Sequence, residues 1–400
     1  FPVTIRRGVS QNHGGTGNNG ASINKQAGGG AGGSHDEPIN PDMDAAVMKL
    51  LSQGEKGNGW RPISTALDVW VTKDTHRNGR TARSEDLSNK DNIQMYNKML
   101  SELGSRTAVM KRKFERALLT AAEADYVSGQ RSGRLDVRKR GVQIIQGKEN
   151  IFRKKMDGQN VDTAVSIVVD ASGSMHDERM YLASQVCVAL AECLEKTTVD
   201  LEVLAFRATH PAGLVKDEII RKYEEVVRRV VSAARGGDQR AMGFHRAAPV
   251  MMFELKAFDE GLRSAKTSLG CMPYLAGGTT PDGDAILKAA TRLMANPKPK
   301  KIMLVLTDGG SGYEVVKGSC TDYTKMAINH CTKNLGINMI GVGIMSDHGE
   351  SMYKNWTCVN NLGDLDKSVI DNIARMILGE TFKVDNADVD GAAKNFKRRA

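Results

Sequence analysis

No apolar run in this chain of 400 residues approaches the roughly 20 that a membrane-spanning helix needs. The N-terminus begins at Phe1 rather than Met and carries no apolar signal core, so no secretion signal is expected. Such a start is expected of processing or of an expressed piece. The six cysteines, Cys187, Cys193, Cys271, Cys320, Cys331 and Cys358, include no C-x-x-C pair and no zinc spacing. Cys187 and Cys193 fall on one expected helix, where they cannot easily bridge each other. Reduced thiols in a cytoplasmic protein are therefore expected. There is no G-x-x-x-x-G-K-[ST], so the chain should not hydrolyse ATP itself. There is no G-x-S-x-G either, because Ser172 sits in Ala171-Ser172-Gly173-Ser174. No catalytic residue is expected in the isolated chain.

What is present is enough apolar content, 40 %, for a substantial core in the C-terminal two thirds. The net charge of +9 is unevenly placed. Between Arg106 and Lys155 there are 14 Lys/Arg against 5 Asp/Glu, which accounts for the whole excess. A solvated helical face is one reading of that window, and a docking surface for an acidic partner is another. Its only aromatics are Phe114, Tyr126 and Phe152, and no nucleic-acid motif is recognisable, so nucleic acid is not the expected partner.

Residues 1–40 are rich in Gly, Asn and Ser, a composition too poor in apolar surface to offset ordering entropy, and are expected as a flexible leader. Residues 41–104 are expected as a small N-terminal subdomain, with helices at Met43 to Leu51 and Asn92 to Leu103. Residues 105–160 are expected as a basic, mainly helical region, with a turn at Gly133. From there strands and helices alternate over 161–380. The strands are Val165 to Asp170, Leu201 to Phe206, Ile302 to Thr307 and Ile337 to Val342. The helices are Glu178 to Lys196, Thr321 to Asn334 and Val369 to Leu378. This order predicts an α/β fold with a doubly wound, mostly parallel sheet. An insertion at about 208–275 should hold a charged helix from Asp217 to Ala234, a mobile loop from Gly236 to His245 and a strand from Pro249 to Lys256. Residues 381–400 read as a tail.

The most informative string is Asp170-Ala171-Ser172-Gly173-Ser174, directly after the β-branched run Ala164 to Val169. It places one carboxylate and two hydroxyls on a turn at a strand's C-terminal end, where open α/β sheets bind ligands and where a hard cation finds oxygen donors. Farther on come Gly277-Gly278-Thr279-Thr280, and Leu304 to Thr307 ending in Asp308-Gly309. Together the three segments resemble the metal-ion-dependent adhesion site of a von Willebrand factor A (vWA) domain. Leu135 to Lys155 and Phe253 to Glu260 resemble the C-terminal half of the CobT subunit of aerobic cobaltochelatase and its phage-borne relatives, a likeness covering roughly residues 105 to 380.

The resemblance implies a metal site of Asp170, Ser172, Ser174, Thr279 and Asp308. Oxygen donors of this kind suit Mg²⁺, with an open position for a partner's carboxylate. Thr279 is the first choice of threonine. Thr280 precedes Pro281 and is the alternative, or else a helix cap. Asp282 and Asp284 read as first-turn residues favouring the helix dipole. His176 and Asp177 read as loop residues at the rim. The resemblance further implies a non-catalytic adaptor that works with a CobS-like AAA+ ATPase and a CobN-like large subunit in inserting Co²⁺ into a corrin ring. The other class compatible with the site is an adhesion or structural module, for instance on a virion, with no chelatase role.

Overall fold

The structure, a computed structural model, describes residues 61–75, 86–112, 126–135, 146, 150–155, 162–211, 213–310 and 319–364. In chain order its strands are β1 (Arg61–Pro62), β2 (Val69–Val71), β3 (Tyr126–Gln130), β4 (Arg134–Leu135), β5 (Phe152–Lys155), β6 (Thr163–Asp170), β7 (Asp200–Ala208), β8 (Phe244–Arg246), β9 (Val250–Lys256), β10 (Lys300–Thr307), β11 (Asn338–Ile344) and β12 (Trp356–Val359). The main helices are α1 (Asn92–Leu103), α2 (Glu178–Leu194), α3 (Asp217–Arg235), α4 (Leu262–Cys271), α5 (Asp282–Ala295) and α6 (Ser319–Lys333). The leader, the helix at Met43 to Leu51, the helix at Val369 to Leu378 and the tail lie outside the described residues.

Seven strands form one sheet in the order β12-β11-β10-β6-β7-β9-β2. Neighbours are parallel except β7 and β9, so the sheet is mostly parallel, as expected. The β-branched run of β6 is buried at every position because helices cover both faces. Its side chains alternate between the two layers. Val165, Ile167 and Val169 face a core shared with α1, α2 and α4. Ala164 and Val168 face a core shared with α5 and α6. No helix among the described residues is long and apolar enough to cross a membrane.

The described parts of residues 41–104 join other layers of the fold. β2 pairs with β9 as the edge of the main sheet, and α1 packs on α4 and α2. Tyr96 of α1 is fully buried and its hydroxyl donates to Glu192 at 2.8 Å. Glu102 accepts from Tyr181 at 2.9 Å and from Gln185 at 2.8 Å. An amphipathic helix buries its apolar stripe wherever a matching surface exists, and here that surface is the vWA-like layer itself. The region 105–160, expected to be mainly helical, is helical over 105–112 but then carries the antiparallel sheet β3-β5-β4. Gly133 sits in the turn between β3 and β4.

The expected insertion is partly core. β9 and α4 belong to the main layers, while α3 packs with β1 and β8 around a satellite core that includes Ile63, Leu67, Tyr223, Val230 and Phe244. In α3 the buried positions Ile220, Tyr223, Val227, Val230 and Ala234 keep a three-four spacing. Asp217 and Glu218 begin the helix and Arg235 ends it, each favouring the dipole.

The segment from Gly236 to His245, expected as a mobile loop, is made of turns up to Gly243. It ends in β8, with His245 and Arg246 buried. Arg246 donates to both Asp68 oxygens at 3.1 Å and to Asp284 at 2.8 and 3.3 Å. Lys288 reaches Asp68 at 3.1 Å, and His245 Nε2 lies 3.0 Å from Asp284. Burial pushes the Asp284 carboxyl up, but Arg246 and His245 outweigh it and hold it below its ordinary value. Asp284 is thus a member of a charge-balanced buried network, more than a first-turn residue. Such a network is costly to break by removing one partner.

The packing of α1 on α4 is tightest at Gly270, where an added Cβ would lie 2.0 Å from the Asn92 carbonyl oxygen. Gly270→Ala should therefore destabilise the domain by about 1–3 kcal/mol. Arg263→Ala, at an exposed position of the same helix, should stay within about 0.5 kcal/mol. Urea unfolding of the two variants checks both; equal midpoints would mean that α1 is not docked there.

Candidate metal centre

β6 and β10 lie side by side with Val169 opposite Leu306, so their C-terminal ends bring Asp170 and Asp308 to one edge of the sheet. Both carboxylates are buried. Asp170 Oδ1 accepts from the Ser172 backbone N–H at 2.8 Å, which folds the turn back on the strand end. Asp170 Oδ2 accepts from Thr307 Oγ1 at 3.1 Å. Ser172 Oγ and Ser174 Oγ are 3.0 Å apart, Ser172 buried and Ser174 exposed. The structure thus brings together four of the five residues picked out from sequence, with Ser174 at the surface and Ser172 enclosed beside a buried acidic floor.

The glycine-threonine turn closes against the same loop. The Gly173 N–H donates to the Gly278 carbonyl at 3.0 Å and the Gly277 N–H to the Ala171 carbonyl at 2.9 Å. Gly278 has φ +73, and a Cβ there would lie 2.3 Å from the Ala208 carbonyl oxygen, so no other residue fits without moving β7. Thr279 pairs by its backbone with Ala208, and its hydroxyl also turns towards the Ala208 carbonyl, at 3.4 Å. Thr280 is buried, 4 % exposed. The fifth expected donor, Thr279, is therefore engaged with β7, while the alternative, Thr280, is the enclosed one.

Three contributors escaped the sequence reading. Asp282, at the start of α5, is buried and neither carboxylate oxygen has a hydrogen-bond partner. Burial first, then the charges of Asp170 and Asp308, raise its pKa well above the ordinary range. Arg179 Nη1 donates to Asp308 Oδ2 at 3.2 Å and to the Ser174 carbonyl at 3.0 Å, setting one guanidinium against the acidic cluster. Thr307 holds Asp170 while its own Oγ1 accepts from the Gly309 N–H at 3.0 Å. The sequence signal for Asp282 was its place directly after Thr280-Pro281. His176 and Asp177 are exposed at the rim, as expected of loop residues. Asp177 has φ 62, an uncommon conformation for a non-glycine residue and one that concentrates at functional sites.

The donor chemistry fits a hard divalent cation. Every candidate donor is oxygen. Among the described residues no three His, Cys, Asp or Glu side chains are placed to hold a metal by themselves, so serine and threonine hydroxyls would have to complete a shell here. The unpartnered oxygens of Asp282 leave free acceptors beside Asp170 and Asp308, a group whose ionisation is opposed by burial and by its acidic neighbours.

Burial, with help from Asp308, pushes the Asp170 carboxyl up from 3.8 to about 7 against the hydrogen bonds of Ser172 and Thr307. A carboxyl raised in the folded state binds an extra proton there. Its charged form thus lowers stability as pH rises from about 4 towards 7, and the penalty is constant above that. In chelator, Asp170→Asn should therefore raise the Tm at pH 8 and lose that advantage by about pH 4. Each kcal/mol of relief should appear as about 2–4 °C. A variant-minus-wild-type difference that does not change with pH would refute the assignment.

In fold, the chain is similar to the PilB minor pilin from Streptococcus sanguinis, at 14% identity and TM-score 0.38, over 58% of this chain and 66% of the pilin. It is also similar to the pilus adhesin SpaC from Lactobacillus rhamnosus GG, at 14% identity and TM-score 0.34, over 54% of this chain and 30% of the adhesin. A third likeness is to the conserved hypothetical protein BatB from Bacteroides thetaiotaomicron, at 17% identity and TM-score 0.34, over 54% of this chain and 98% of that one. The chain thus spans less than two thirds of the pilin and less than a third of SpaC. The family comparison reaches further. Residues 151–379, more than half of the chain, match the family described as the cobalamin biosynthesis protein CobT VWA domain, and the chain belongs to that family.

Proposed function

We propose that the chain is a magnesium-dependent interaction adaptor in the cytoplasm, without catalytic activity of its own. It would work with a CobS-like AAA+ ATPase and a CobN-like large subunit, whose substrates are Co²⁺ and the corrin ring. The observation that carries this reading is the gathering of Asp170, Asp308 and the unpartnered Asp282 under the two serine hydroxyls at the sheet's C-terminal edge. Membership of the CobT VWA family supports it.

Asp170, Ser172, Ser174 and Asp308 would hold the cation, with Thr280 in the place first given to Thr279. A bound Mg²⁺ supplies a coordination position that a carboxylate of the partner can complete. The chain's own residues shape the approach to it. Arg179 balances part of the acidic charge and steers carboxylates inward. Tyr274, just before the glycine-threonine turn, and Met345, beside the serine that hydrogen-bonds the Asp308 carbonyl, expose apolar surface at the same end of the sheet. A charged anchor ringed by exposed apolar side chains suits a protein partner better than a small ion alone.

Titration calorimetry should detect one Mg²⁺ per chain in the wild type and none in Asp170→Ala. Thr280→Ala should weaken binding about 10-fold or more, whereas Thr279→Ala should change it little. Unchanged binding in Asp170→Ala removes the site. In pull-downs from native lysate the full chain should retain an AAA+ ATPase. By surface plasmon resonance, chelator should speed its dissociation, while added salt should mainly slow association. Recovery of a surface ligand with no ATPase would favour an adhesion module instead.

A further inference from the structure

A cleft of about 680 Å³ separates α3 from the end of β7 and the glycine-threonine turn. Its volume lies within the roughly 300–1,000 Å³ usual for binding clefts. α3 lines it with Val227, Arg228, Val231 and Arg235. The lining has one acidic residue, Glu224, whose carboxylate lies 3.3 Å from His210 Nε2. Arg228 and Arg235 are exposed, and neither has an ion-pair partner among the described residues. The cleft therefore sets two arginines against one glutamate over an apolar strip, a net positive lining.

The geometry points to an extended acidic segment of a protein partner as the occupant, and this inference rests on the adaptor reading above. Arg228 and Arg235 are seven residues apart, which places them about 10 Å apart along the same side of the helix. That spacing leaves room for a separate carboxylate at each guanidinium. A chain in polyproline II conformation returns to the same side every third residue, about 9 Å on. Two acidic side chains at that spacing match the two arginines, and an apolar residue near them would meet Val227 and Val231. The lining has no Phe, Tyr or Trp on which bases could stack, which disfavours single-stranded nucleic acid.

The cleft and the metal centre share one piece of backbone. Gly278 and Thr279 line the cleft, and the Gly278 carbonyl accepts the hydrogen bond of Gly173 in the Asp170–Ser174 loop. A segment lying in the cleft would run next to the metal centre, so one partner can engage both. Two linked contacts raise affinity by effective concentration without any new interaction.

The test uses the full chain and a fluorescein-labelled heptapeptide, Gly-Asp-Val-Pro-Asp-Val-Gly, followed by fluorescence anisotropy at low salt with chelator present. The aspartate peptide should bind and its asparagine version should not. Arg228→Glu combined with Arg235→Glu should weaken binding at least about tenfold, and should let the lysine version of the peptide bind in its place. Both positions are exposed, so the variant should keep the wild-type Tm; if it does not fold, Arg228→Gln gives the same comparison. Equal binding of aspartate and asparagine peptides, or binding unaffected by the arginine variants, overturns the proposal. So does an oligothymidylate that displaces the peptide and depends on the same arginines. Calorimetry with Mg²⁺ on the same proteins, after the chelator is removed, separates the two readings. Peptide binding without Mg²⁺ binding leaves the cleft and removes the metal centre, and the reverse leaves only the metal centre.

Discussion

Like charges held together away from water govern this molecule. The central strands β6 and β10 end in Asp170 and Asp308, and α5 begins with Asp282 close enough that both raise its pKa. Three buried carboxylates with one guanidinium, that of Arg179, beside them cannot all be ionised cheaply. The folded chain can protonate them or gather a cation. Protonation is consistent with the upward shift of Asp170. The serine hydroxyls beside the cluster, one buried and one exposed, would supply a cation with donors that the acidic side chains alone do not provide among the described residues.

Asp282 and Asp284 show how finely the environment divides. They are two residues apart in the first turn of α5, yet Asp284 is gripped by Arg246 and His245 while Asp282 has no hydrogen-bond partner for either oxygen. The helix start lies between the satellite core, whose buried network is charge-balanced, and the edge of the main sheet, where negative charge is in excess. Both aspartates favour the dipole, but that effect is worth under about 1 kcal/mol at a surface. Ion pairing or its absence in a buried setting outweighs it.

What could be read from the sequence follows from locality. β6, β7, β10 and β11 were legible because a parallel strand covered on both faces is a short, unbroken apolar run. The three-part motif was legible because each part ends or opens such an element. Contacts between distant segments were not legible. β2 meets β9, and Trp70 lies under Arg292 at 5.0 Å, across some 180 and 220 residues of chain. α1 shows its apolar stripe plainly, but a stripe does not say which surface it will cover. The buried strand β8 looked like a loop because Gly236-Gly237-Asp238 precedes it, and the Arg246 network was not legible because its acid partners, Asp68 and Asp284, lie 178 and 38 residues away. Nor was the backbone pairing of Thr279 with Ala208, 71 residues away, which turns its hydroxyl to β7.

The Arg246 network then acquires a role beyond stability. It ties β8 to the first turn of α5, and Tyr223 of α3 is fastened to the same segment by its hydroxyl, which donates to the Ala247 carbonyl at 2.6 Å. Through these bonds α3, and with it Arg228 and Arg235, is held at a set distance from the glycine-threonine turn. The opposite wall is equally constrained, because Gly278 cannot move without β7. A surface made of two elements recognises a partner only if their spacing is reproducible, and a loosely packed satellite would blur it. Buried ion pairs contribute little net stability compared with apolar packing, but they tolerate few alternative geometries. Placing such a network behind α3, rather than more apolar volume, keeps the cleft in register with the Asp170–Ser174 loop and the glycine-threonine turn.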